Sequence, residues 1–281
     1  MSILDDSARC KLFEDIASKV WKKIIKAHDV NANLPEIGIT ADILVKILQY
    51  NKGLTNFDVY AKNSWNESMY GSDIDVFVET YKNQYRWFAL QAKILKSSNQ
   101  YDKLRYASGG IFQWDKLTLL EAVSGCKSYY LLYNGRDGYV HNGNDSCDRN
   151  FTESQFGCSL VEPMDIKRIA NKTKANGSFI KATFEDFHPK FAQPWRILTC
   201  CYHDTIGFEL YSLEVIKNSN PSFKLITASI SDKDIEEDND DNETKEDVFM
   251  DNDNLISIAS QNAKWNPGLR LVIHRTDNLE Q

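Results

Sequence analysis

The chain contains no apolar run approaching the roughly eighteen residues that a membrane-spanning helix needs, which sets helical channels and carriers aside. It also has no Cys-x-x-Cys pair, so zinc-ribbon and thioredoxin-like chemistries have no foothold. Cys200-Cys201-Tyr202-His203 invites a zinc reading, yet no second ligand pair stands at suitable spacing. Scattered cysteines of this kind are expected as reduced thiols in a cytoplasmic protein. Met1 to Asp6 lacks the basic and apolar regions of a signal peptide, which supports the same expectation. A strong basic excess is missing too: the net charge is −7. That figure is uneven along the chain. Residues 231–253 hold twelve acidic and two basic residues, and without them the remainder is weakly positive at +3. The acidic segment has too little apolar content to repay ordering and reads as a solvated loop. A sharper alternative is that it imitates phosphate and shields a basic groove. The body, with 42% apolar residues, can bury one large core or two modest ones.

What is present is a short polar constellation on two strands. Ser72-Asp73-Ile74-Asp75-Val76-Phe77-Val78 alternates as a half-buried strand. Lys82-Asn83-Gln84 is a polar turn, and Tyr85 to Leu95 forms a second, more apolar strand. Gln91 and Lys93 on that strand share a face because strand side chains repeat every two residues. By the same rule Asp75 is expected beside Asp73. An acid on one strand next to Gln-x-Lys on its neighbour can hold a divalent cation while the lysine orients a water. Those are the parts for metal-assisted phosphodiester hydrolysis.

Around the hairpin the periodicities are clear. Phe13, Ile16, Val20 and Ile24 fall at helical spacing, predicting a helix over 7–28. Thr40 is the expected N-cap of a second helix reaching Tyr50. A strand over 55–61, a helix over 113–123 and an apolar strand over 127–134 complete the first half. Residues 135–159 turn rich in Asn, Asp, Gly and Ser, so the chain divides into a core over 1–135 and a C-terminal α+β extension over 136–281. Helical stretches near 163–171 and 205–217 and a closing strand over 268–275 are expected in that extension. No internal repeat is seen.

The order helix-β-β-β-helix-β, with Asp73 followed by Gln91-Ala92-Lys93, resembles the PD-(D/E)xK nuclease superfamily. The closest likeness is to its Mrr-like branch, which carries Gln in place of an acid. The blocks Gly38-Ile39-Thr40-Ala41-Asp42, Gly71-Ser72-Asp73-Ile74-Asp75-Val76, Gln91-Ala92-Lys93 and Tyr130-Leu131-Leu132-Tyr133-Asn134 resemble an uncharacterised bacterial family within it, as does Pro194-Trp195 with Cys200. The resemblance covers roughly 35–135. It implies an α/β restriction-endonuclease-like core with a mixed sheet flanked by helices. It also implies a DNA endonuclease, as found in bacterial defence against phage and other foreign DNA. Asp73, Gln91, Lys93 and Glu36 would be catalytic, with Mg²⁺ or Mn²⁺ held by Asp73, Asp75 and Glu36. Glu14, in Leu12-Phe13-Glu14-Asp15, competes with Glu36 for the helix position. Lys96, Tyr101, Lys103 and Arg105 mix cations and aromatics beside the site, as nucleic-acid contacts do. DNA is the expected partner and RNA stays open. A regulatory protein or a second copy would restrain such an enzyme, and no membrane is implied.

Two other classes stand beside this one. Ser-Asp-x-Asp followed by apolar residues also resembles the metal-binding strand of minimal nucleotidyltransferases. The Gly-Ser turn expected before it is missing, with Asn63-Ser64 the nearest candidate. A catalytically inactive nuclease fold that only binds nucleic acid is the third. His141, His188, His203 and His274 have no partners at interpretable spacing and read as packing or surface residues.

Overall fold

The computed structural model describes residues 7–50, 57–62, 72–108, 110–141, 151–200, 209–218, 224–226 and 268–274. The long amphipathic repeat folds as α1 (Ser7–Asp29), and α2 (Glu36–Tyr50) follows after a short break. The second helix starts four residues before the expected Thr40 cap. Pro35, whose fixed φ suits a helix entrance, accepts from Gly38 N at 3.1 Å and Ile39 N at 3.3 Å. Thr40 is therefore inside the helix, where its hydroxyl donates back to Glu36 O at 3.1 Å. This early start places Glu36 in the first turn of α2.

Strands β1 (Phe57–Lys62), β2 (Ile74–Tyr81) and β3 (Gln84–Ile94) come next, with β2 and β3 forming the expected hairpin. The two-residue pairs β4 (Ala107–Ser108) and β5 (Ile111–Phe112) lead into α3 (Gln113–Ser124) and then β6 (Lys127–Tyr133). Gly125 closes α3 at φ 65°, a left-handed position that glycine takes without strain. A 3₁₀ turn (Glu153–Gly157) precedes β7 (Cys158–Val161) and α4 (Pro163–Ala170). Then come α5 (Phe184–Phe187), β8 (Gln193–Pro194), α6 (Ile197–Cys200), β9 (Leu210–Ser212), α7 (Leu213–Asn218), β10 (Lys224–Ile226) and β11 (Gly268–Ile273).

The main sheet runs β10-β1-β11-β2-β3-β6-β7-β8, with β9 pairing one end of β3. It is mixed: β11 lies parallel to β2 and β6 parallel to β3, while the other pairs are antiparallel. The protein is thus α/β, a mixed sheet flanked by helices. The boundary expected at residue 135 is not a seam in this sheet. β11, from the far C-terminal part, lies between β1 and β2, and β7 extends the sheet beyond β6. The stretch expected as a helix over 205–217 is instead β9 followed by α7, with 201–208 outside the described residues. The acidic segment 231–253 also lies outside them.

Helices α1 and α2 cover one face. Phe13, Ile16, Val20, Ile24, Ile39, Ile43 and Ile47 pack there against Val76, Val78, Leu90, Ala92, Leu131 and Leu271. Removing a side chain as large as Phe13 from such a layer costs about 3–5 kcal/mol. The opposite layer gathers Trp114, Leu117, Tyr130, Leu132, Ile166, Phe184 and Phe187. Gly157 lets the 3₁₀ turn touch α1, since a Cβ there would stand 1.9 Å from Ala17 O. Cys10 of α1 and Cys200 of α6 form a disulfide, so these two cysteines depart from the expectation of free thiols. Distance in sequence, 190 residues, hid the pairing; packing of α6 on α1 creates it. Cys126 and Cys158 are free and buried.

Candidate functional site

The hairpin of β2 and β3 sets the site. Asp73 is not part of β2; it occupies a bend just before Ile74. Its N–H donates to Leu90 O at 2.8 Å, which fixes the bend against β3. Its Oδ2 accepts from Ala92 N at 2.9 Å and from Gln91 Nε2. Gln91 and Lys93, both buried, stand on β3 opposite Tyr130 and Leu132 of β6. Glu36 reaches the same region from the first turn of α2.

Electrostatics tie these groups together. Burial pushes the Glu36 carboxyl up from its ordinary 4.5 to about 7, and the Asp73 charge pushes in the same direction. Lys93, Lys96 and Lys103 oppose that rise without cancelling it. Asp73 is also raised by burial, with Lys93 and the Ala92 N–H working against the shift. Among the described residues the Glu36 carboxylate has no ion pair and no hydrogen bond. Two carboxyls whose charged forms are both disfavoured by burial, with the Lys93 charge acting on each, are a usual setting for a chemical site.

Asp75 stands on β2 opposite Ala89, two residues before Gln91 and so on the Gln91 face of the hairpin. An Asp75 oxygen lies 3.4 Å from Ser72 Oγ, and its charge acts on Cys126 below α3. Glu14 is not at the site: it pairs with buried Arg196 of α6. Tyr101, expected to contact nucleic acid, is buried, and its hydroxyl donates to Asn134 Oδ1. Arg105 stacks over Phe179 and bonds Asn171. Lys96 and Lys103 remain close enough to act on Glu36. Gly71 and His203 lie outside the described residues. His188 is a packing residue, bonded to Ser159 Oγ at 2.8 Å and held at a pKa of about 3 by burial. His274 bonds the Tyr85 hydroxyl at 2.7 Å, and His141 packs edge-on against Phe151.

One residue at the site was not anticipated. Tyr130, read only as part of an apolar strand, sits opposite Gln91, and Asp73 acts on its hydroxyl. That hydroxyl is buried with no hydrogen-bond partner among the described residues, as is Gln91 Oε1. The parallel register of β3 and β6 makes this neighbour, and no local pattern announces it.

Among the described residues, no three His, Cys, Asp or Glu side chains come close enough to hold a metal ion. The donors that do converge are hard oxygens: Asp73, Glu36 and the partnerless amide oxygen of Gln91. Such a set suits Mg²⁺ or Mn²⁺ in kind, with less charge than three carboxylates would bring. No curated protein and no solved structure matches the chain. Residues 9–275 match the family of unknown function DUF6615, and the chain belongs to that family.

Proposed function

We propose that the protein is a metal-dependent nuclease of the PD-(D/E)xK kind, hydrolysing phosphodiester bonds of DNA at the Glu36, Asp73, Gln91 and Lys93 cluster. The observation that carries this reading is the convergence itself. Residues separated by more than fifty positions meet at one end of a hairpin, and Asp73 and Lys93 both act on Glu36. The element order supports it too, because α2, β1, β2, β3, α3 and β6 follow the helix-β-β-β-helix-β order of that core.

In this reading Asp73, Glu36 and the Gln91 amide oxygen would hold Mg²⁺ or Mn²⁺. A bound cation of that kind supplies charge to polarise a phosphate and lowers the pKa of water. The chain's own residues do the remainder. Lys93 orients the attacking water and offsets charge that builds on the phosphate oxygens. The Ala92 N–H holds Asp73 in position through its 2.9 Å hydrogen bond. Glu36, with its pKa near 7 in the absence of a cation, would release a proton on taking up a cation at neutral pH.

The test is supercoiled plasmid incubated with Mg²⁺, Mn²⁺ or EDTA. Nicking is expected with either metal and not with EDTA, and Lys93→Ala should lower it about 10²- to 10³-fold. Cleavage that survives EDTA, or is untouched in Lys93→Ala, would sink the reading. The nucleotidyltransferase alternative needs Asp73 and Asp75 on a shared metal pair. Lys93→Ala separates the two readings, since a transferase should tolerate that change better than a nuclease.

A further inference from the structure

The loop after β3 and the segment before α5 enclose a cleft of about 330 Å³ that the reading above leaves unused. Lys103, Arg105, Tyr106 and Phe179 line it, with Lys181 paired to Asp102 at 3.2 Å on its wall. Lys103 also acts on Glu36, so the cleft adjoins the acid and lysine cluster. Its size is at the low end for small-molecule sites, enough for one planar ring system rather than a large ligand.

The walls are flat and partly wet. Trp114 stacks on Phe112 with centroids 4.6 Å apart and planes 19° apart. The Arg105 guanidinium lies 5.3 Å from the Phe112 centroid and 3.4 Å from that of Phe179. This column rises from a buried tryptophan and ends on Phe179, which is 50% exposed, beside a Tyr106 that is equally exposed. Phe179 and Tyr106 thus present half-exposed rings beside the Arg105 guanidinium. Residues 166–184 contain five basic residues and no acidic one, and four of the five are ion-paired: Lys167 with Asp115, Arg168 with Asp165, Lys172 with Asp186 and Lys181 with Asp102. Lys174 and, in the loop after β3, Lys103 form no ion pair among the described residues. Half-exposed rings beside Lys103 and Arg105 complement an anion that carries flat rings.

We propose that this cleft is a stacking pocket for one base of a single-stranded nucleic acid. Lys103 takes the adjoining phosphate toward the Glu36, Asp73 and Lys93 cluster. A duplex offers only base edges and backbone, so a stacking face at the surface serves a base that is already unpaired or splayed. The proposal deepens the nuclease reading and rests on it for the direction of the strand.

The experiment is fluorescence anisotropy in EDTA, so that cleavage plays no part. The probes are a labelled oligothymidylate of about twelve nucleotides, its abasic counterpart and a duplex of the same length. Phe179→Ala should weaken the base-bearing strand roughly 5- to 100-fold and leave the abasic strand and the duplex within about twofold. Phe179→Trp should restore strand binding, which separates stacking from a folding defect. An oligouridylate arm sorts the sugar, and Phe179-dependent binding of either strand meets the proposal. Equal loss on the abasic strand, no loss on the base-bearing strand, or failure of Trp to restore binding overturns it. Plasmid nicking by Lys93→Ala is read separately. A pocket that binds through Phe179 beside a Lys93 that does not matter would keep the pocket and remove the nuclease reading. Lys93-dependent cleavage with no Phe179 effect on either probe would do the reverse.

Discussion

Two helix-borne glutamates resemble each other in sequence and are used differently. Glu14 of α1 sits in an ion pair with Arg196, whose side chain is 1% exposed. Glu36 of α2 has no direct partner among the described residues and titrates near 7, with Asp73 and Lys93 acting on it from a distance. A carboxylate matched by a buried guanidinium fastens α1 to α6. A carboxylate buried without such a match stays near its proton. The difference lies in what the fold puts near each residue: a bonded cation for Glu14, and for Glu36 an amine and an acid, Lys93 and Asp73, that act on it without a direct bond. Direct pairing favours structure, and incomplete pairing leaves a group able to react.

The largest effect that can test this contrast is on stability. Glu14→Ala leaves the Arg196 charge buried without its carboxylate, which should cost about 3–5 kcal/mol. Urea unfolding read by tryptophan fluorescence should show the midpoint falling by a corresponding amount. Any nicking activity, taken at a temperature where the variant is folded, should stay near that of the unaltered protein. If Glu14→Ala instead kept its midpoint and lost cleavage, the roles of the two glutamates would have to be exchanged.

A smaller effect has a pH signature. Glu36 holds its proton more tightly folded, near 7, than unfolded, near 4.5. The folded state therefore binds more protons between those values, and stability falls as pH rises through that window. The loss is complete by about pH 8 and amounts to on the order of 3 kcal/mol. Glu36→Gln has no such proton. In EDTA its urea midpoint should pull ahead of the unaltered protein between about pH 5 and 8. Asp73 and Glu36 act on each other, so the gap reads the titration of the pair. Parallel curves would mean that Glu36 is not buried against Asp73.

The contrast also marks what could be read beforehand. Residues Phe13, Ile16, Val20 and Ile24 predict α1 because periodicity is local, and Gln91 with Lys93 predict a shared face on β3 for the same reason. The bend at Asp73, held by Leu90 O, is a local departure from the strand that the alternating pattern does not mark. Pro35, not Thr40, opens α2 because the proline backbone already fits a first turn. The insertion of β11 between β1 and β2 comes from pairing residues some two hundred positions apart, and no local pattern encodes it. Tyr130 at the site and Arg196 opposite Glu14 arise the same way. Local rules placed the hairpin, and sheet order placed its neighbours.

The smallest test concerns a residue that composition assigned to a ligand and packing assigned to the core. Tyr101 lies in a run with Lys96, Lys103 and Arg105, yet its hydroxyl is buried on Asn134 Oδ1 while Asn134 Nδ2 donates to Phe156 O at 2.8 Å. Tyr101→Phe removes one donor and leaves the Asn134 oxygen without it, a change of about 1–3 kcal/mol. Nothing on the protein surface changes. The urea midpoint should fall while anisotropy with the labelled oligothymidylate stays within about twofold, the opposite of what Phe179→Ala should do. If Tyr101→Phe weakened oligonucleotide binding and left the midpoint alone, the hydroxyl would be reaching a ligand. Tyr101 would then belong with the exposed groups that meet substrate rather than with the paired groups that hold the fold.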